Sequence, residues 1–130
     1  MATKRFSECS GDERALYLSA YLETVELLST AEAKFNTLVP LALNAVDASL
    51  YKAQKLEAKR ALSLLPNQWR DFKNDLAQIT PPDAPTVDRI AKAAEDLAKI
   101  MVATNNLNAM VGILVQGKAV FDALNPSPTN

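Results

Sequence analysis

MVATNNLNAMVGILVQG, from Met101 to Gly117, decides how the second half of this chain folds. It carries no charge between Lys99 and Lys118, yet three asparagines, a threonine and two glycines sit inside it. Around it the apolar pattern is sustained. Ile90, Ala93, Leu97, Ile100, Thr104, Leu107, Val111, Leu114, Lys118 and Phe121 follow steps of three and four, the period of a bundle helix or a coiled-coil seam. Unbroken, that helix runs from Thr86 to about Asn125, on the order of 40 residues and 60 Å at the usual rise. Local propensity opposes it. Thr104, Asn105, Asn106, Asn108, Gly112 and Gly117 together cost about 4 kcal/mol relative to alanine, while Leu107, Val111, Leu114 and Val115 each return about 1.5–3 kcal/mol when buried. The expectation is one long helix wherever a surface covers it, with Asn105-Asn106 as the breaking point otherwise.

The same stretch is sided. Leu107, Val111, Leu114 and Val115 share a face with Leu97 and Ile100, whereas Asn105, Ala109, Gly112 and Gln116 gather opposite. A lipid-exposed span is apolar all round and needs about 20 apolar residues, so no transmembrane segment is expected. Asn108, Thr104 and Lys118 fall within the apolar arc, and Val102 and Ile113 fall on the polar side. A buried asparagine must find partners or cost a few kcal/mol, and in coiled coils such a residue selects register.

Upstream, Ser10-Gly11-Asp12-Glu13 has the form of a capping box. Leu18, Tyr21, Val25, Leu28 and Phe35 then mark one stripe of a first helix, about Gly11 to Phe35. Asn36-Thr37 offers a stop and a new cap. A second helix to Leu65 places Leu43, Val46, Leu50, Ala53, Leu56 or Glu57, Ala61 and Leu64 inward, and Pro66 ends it. Folded as a hairpin, Glu23 and Glu26 would lie level with Lys52 and Lys55. Asn67 caps a short third helix with Trp69, Phe72, Leu76 and Ile79 on one face, where the tryptophan is expected in the core rather than as a ligand platform. Thr80 to Pro85, with three prolines, is a linker.

The fold expected is all-α: an antiparallel four-helix bundle with a short third helix and a long C-terminal helix. It forms a single domain over residues 1–130, with residues 1–9 and 126–130 as flexible tails. Alanine abundance and only three glycines favour helix.

Composition narrows the chemistry. The chain has no histidine, which removes Ser-His and Cys-His nucleophile systems, imidazole metal sites and Glu-x-x-His di-iron motifs. One cysteine, Cys9, forms no internal disulfide and no zinc cluster, and is expected to be an ordinary thiol. A net charge of −1 supplies no field for nucleic acid. The run Lys52, Lys55, Lys59 and Arg60 is read as a solvated face, as are the Glu23–Glu26 and Glu95–Asp96 carboxylates. No signal peptide follows Lys4-Arg5, so a cytoplasm-like compartment is expected.

No catalytic residue, cofactor or metal is therefore expected, and an enzyme is disfavoured. The role expected is protein–protein interaction or self-association through the C-terminal helix, because a helix of that length outruns its neighbours and leaves apolar surface uncovered. Its candidate interface is Val102, Thr104, Asn105, Asn108, Ala109, Gly112, Ile113, Gln116 and Lys118. The alternative is a carrier of a small apolar ligand or lipid in the bundle core.

Overall fold

A computed structural model describes residues 2–126. Four helices build the fold: α1 (Gly11–Leu38), α2 (Ala45–Lys73), α3 (Ala84–Lys99) and α4 (Leu107–Asp122). The described residues contain no strand, only one antiparallel bridge between Lys4 and Ile79. The all-α four-helix architecture is as the sequence implies, but two of the boundaries between helices move.

The first lies at Pro66. This residue sits inside α2 instead of ending it, and the expected second and third helices are one. A proline in a helix interior costs about 3 kcal/mol. Tyr51, Ala58, Leu65 and Phe72 recur every seventh residue along one line of α2, and all four are buried. Leu65 and Phe72 flank the proline, and burying each contributes about 1.5–3 kcal/mol only if the helix runs straight through.

The second lies in the opening stretch. The long C-terminal helix does not form. Ile100 leaves α3 in an extended conformation, a 3₁₀ turn covers Thr104–Asn106, and α4 starts at Leu107. The weak helix formers decide this once α4 can fold back and bury Met110, Leu114 and Phe121 in the core. Two polar groups hold the break. The Lys34 ammonium donates to the Ile100 carbonyl at 2.6 Å, and the Asn106 side-chain amide donates to the Met101 carbonyl at 2.8 Å.

The caps are chemically explicit. Ser10 and Glu13 form the expected reciprocal box, at 3.1 and 2.8 Å. The expected cap at Thr37 is replaced: Thr37 donates to Ala33 within α1, and Asn44 caps α2 by accepting from the Asp47 amide at 2.8 Å. At the other end of α2, Asp75 takes a left-handed conformation (φ 59°), while the Leu76 amide reaches the Asp71 carbonyl and the Asp75 amide reaches that of Phe72. Together these bonds close a Schellman motif with aspartate where glycine is usual. The Ser7 amide donates to the Asp75 carboxylate at 2.9 Å and holds its pKa below the ordinary carboxylate value.

The amino-terminal segment, expected as a loose tail, is pinned across this end of the bundle. Lys4 exchanges both backbone hydrogen bonds with Ile79, Phe6 meets Phe72 edge-on at 5.3 Å, and Arg14 lies over the Phe6 ring. Cys9 is buried, and burial pushes its thiol pKa up. Of the expected tail at 126–130, residues 127–130 lie outside the described residues.

Consecutive helices run antiparallel. The Lys34–Ile100 contact joins the ends of α1 and α3, so these two run parallel. Helix α1 is the hub, packing against α2, α3 and α4, while α3 also packs against α4. Gly117 lets α4 come close to α1 and α3, because a methyl group there would stand 2.6 Å from Leu27 and 2.8 Å from Ala93. The arrangement is a four-cornered bundle with three edges closed.

Candidate functional site: the open edge between α2 and α4

The fourth edge, between α2 and α4, is closed only at one end. There Tyr17 and Tyr21 of α1 stand between the two helices. Tyr17 stacks on Trp69 (6.1 Å) and Phe121 (5.8 Å), and Tyr21 meets the same pair at 5.7 and 6.4 Å. Trp69 thus belongs to a packed aromatic cluster, in keeping with the core role expected of it. The Tyr17 hydroxyl donates to the Asn125 side chain, whose amide donates to the Phe121 carbonyl. Burial raises the pKa of both tyrosines.

Beyond this aromatic end the helices part and leave a groove of about 360 Å³. Its floor is Leu28 of α1. One wall is Ala58, Ala61, Leu64 and Leu65 of α2, and the other is Val111, Leu114 and Val115 of α4. Gln54, Glu57, Arg60, Gln68 and Lys118 complete the lining. The walls are apolar far beyond what an isolated surface leucine would explain. Leu64 on one wall is 53% exposed and Val115 on the other 59%, and farther along α2, outside the lining, Val46 is 78% and Leu50 47% exposed.

These α2 residues are the ones whose spacing reads as core. Projected at 100° per residue, Val46, Leu50, Ala53, Glu57 and Leu64 share a face about 110° from the line of Tyr51, Ala58, Leu65 and Phe72. The expected inward face of the second helix is therefore corrected: the seventh-residue line is buried, while Glu57, Ala61 and Leu64 line the groove and Leu43, Val46, Leu50, Ala53 and Leu56 are exposed. Helix α2 has two apolar faces and an intramolecular partner for one.

On α4 the expected interface residues divide. Val102 and Ile113 pack against the core cluster, which answers their place on the polar side of a projected long helix. Thr104 and Gly112 are half-buried, and Asn105, Asn108, Ala109 and Gln116 are exposed. Asn108 is no buried register point, because the chain turns before it and swings it outward. Of the nine, Lys118 alone lines the groove, where its ammonium also meets Asp122 at 2.9 Å. The sequence places Val111, Leu114 and Val115 on the buried face, and Leu114 is buried with Val111 packed beside it; what the spacing does not show is that all three also wall the groove, with Val115 exposed. The signal was present: a second apolar stripe on α2 with no helix left over to cover it.

Electrostatics around the groove are mild. Among the described residues, ion pairs are confined to surface contacts such as Lys4–Glu13 and Lys99–Glu95, and Glu23 and Glu26 form none with Lys52 or Lys55. No group of three or more metal-ligating side chains occurs among the described residues, and none of their helices is long and apolar enough to cross a membrane. No family model matches the chain, and no curated protein or solved structure is similar to it.

Proposed function

We propose that this chain is a non-catalytic protein–protein interaction module whose docking edge is the α2–α4 groove. One observation carries the reading: a helix that is apolar on two faces, with its second face left open along an apolar groove. Large exposed apolar surface of this kind marks association sites in folded proteins, and a docked helix would supply the missing fourth edge by ordinary groove packing. The interface expected on the C-terminal helix keeps α4 as one wall and acquires α2 as the other.

The test compares the natural chain with a Leu64→Glu/Val115→Glu variant, by sedimentation at tens of micromolar and by affinity capture from an extract. Both side chains are more than half exposed, so the variant keeps its helical circular dichroism. The proposal expects an assembled or captured species that the variant loses. Identical monomers with identical captured proteins would refute it.

The groove volume also favours a second reading, because about 360 Å³ falls at the small end of ligand pockets. A carrier would bind an environment-sensitive apolar dye saturably at one per chain, with a fatty acid displacing it. An interaction edge gives weak, unsaturable dye uptake.

A further inference from the structure

We infer that the groove is occupied by α2 of a second copy of this chain, packed antiparallel across a twofold axis at Glu57. The inference rests on the proposed interaction edge and names its partner. Its basis is a symmetry in this second stripe of α2, which is exposed except at the half-buried Ala61. Leu50, Ala53, Glu57, Ala61 and Leu64 are spaced by three, four, four and three residues, so the pattern reads the same in both directions about Glu57. Turned end for end, the stripe sets Leu50 against the partner's Leu64 and Ala53 against the partner's Ala61. A self-complementary patch is what a twofold interface requires, since each residue must meet its counterpart in both copies.

The chemistry at the centre suits the same arrangement. Ala53 and Ala61 are small and allow the helix axes to approach to the close end of the 8–10 Å range. Glu57 lies mid-stripe, and Arg60 follows one turn on at the groove margin. Antiparallel pairing brings each Glu57 within reach of the partner's Arg60, giving two symmetric charge pairs. Exposed pairs of this type contribute little affinity; they set the register. Leu64 and Val115, exposed on opposite walls, are covered by the incoming helix. The lysines of α2 stay clear, because Lys52, Lys55 and Lys59 project onto the other side of the helix, away from the stripe.

The test uses the full chain. Cys9 is buried, so a cysteine introduced by Glu57→Cys is the reactive thiol for cross-linking. A residue on the twofold axis oxidises to a covalent dimer by itself. Leu50→Cys alone forms no covalent dimer under the same oxidation, whereas an equimolar mixture of Leu50→Cys and Leu64→Cys cross-links between the two variants. Arg60→Glu weakens the dimer at least several-fold, and Glu57→Arg/Arg60→Glu restores it. This set of results supports the inference.

A dimer that forms normally in Leu64→Glu/Val115→Glu, or that never cross-links through Glu57→Cys, overturns the twofold α2 pairing and puts the self-association elsewhere. A monomer that captures another protein through Leu64 and Val115 overturns the second copy as occupant and leaves the interaction edge standing. A monomer that captures nothing overturns both.

Discussion

Helix α4 contains two glycines five residues apart, and the same substitution at each should act with opposite sign. At Gly112 an added methyl group meets nothing within 4 Å. Gly112→Ala therefore gains the helix-propensity difference, about 1 kcal/mol. At Gly117 the methyl would stand 2.6 Å from Leu27 and 2.8 Å from the Ala93 Cβ, well inside contact distance. Leu27 is fully buried, and the Ala93 Cβ, fixed to its backbone, moves only with it. Overpacking of this kind costs about 1–3 kcal/mol, against the same propensity gain. Because propensity is common to both variants, their difference isolates the steric term: Gly117→Ala should be about 1–3 kcal/mol less stable than Gly112→Ala. For a chain of this size that separates their melting temperatures by roughly 3–15 °C. Calorimetry and urea denaturation measure it directly. If Gly117→Ala equals or exceeds Gly112→Ala in stability, α4 does not approach α1 and α3 this closely, and the groove beside it has the wrong shape.

Three other expectations are independent of that one. Pro66→Ala should stabilise the fold by up to about 3 kcal/mol, since Pro66 is exposed in the interior of a continuous helix; a loss of stability on denaturation would mean the proline sets a needed bend. Lys34→Met should cost about 1.5 kcal/mol by removing the charged donor at the end of α3. Its amide exchange should rise first at residues 97–106, and uniform loss across the bundle would contradict the assignment. In a pH series, Glu13, Asp75 and Asp83 have lowered pKa values, caused respectively by the Ser10 amide, the Ser7 amide and the Thr86 hydroxyl. Their stabilisation is complete above the ordinary carboxylate range and is lost as pH falls below about 4. Tyr17, raised by burial, acts at the other limit: stability falls as pH rises past about 10, where the unfolded chain ionises first. Tyr17→Phe should flatten that alkaline loss in denaturation midpoints, and an unchanged slope would exclude Tyr17 as its source.

Helix content, the Ser10–Glu13 box, the hairpin of the first two helices and the place of Trp69 in the core are all written in short-range patterns. They are legible because capping and periodicity act within one or two turns. The two boundaries that moved depend on distant partners. Pro66 stops a helix by local rule, but Leu65 and Phe72 are buried, and Trp69 packs on the core, only if it does not. The run from Ile90 to Phe121 keeps one period across Ile100–Asn106, although the chain turns back there. A turn of about two helical turns' worth of residues preserves the phase, so periodicity alone does not reveal it. Only the count of weak helix formers marks the place.

The candidate site was hidden for a related reason. The stripe from Val46 to Leu64 meets every rule for a buried face, and nothing in the spacing separates it from the line of Tyr51, Ala58, Leu65 and Phe72. What separates them is side-chain size against the neighbour available. The buried line ends in Phe72, which meets Tyr17 of α1 at 4.7 Å, whereas on the other line only Ala61 packs against the core and Val46, Leu50 and Leu64 stay exposed. A face with that composition gains little from covering by bulky side chains and much from close approach of a second backbone. Alanine-centred, leucine-flanked and symmetric about a single glutamate, the stripe carries a helix-packing pattern. One apolar face of α2 packs on its own chain; the other lies beside the unclosed edge, where the proposed partner helix would complete the bundle.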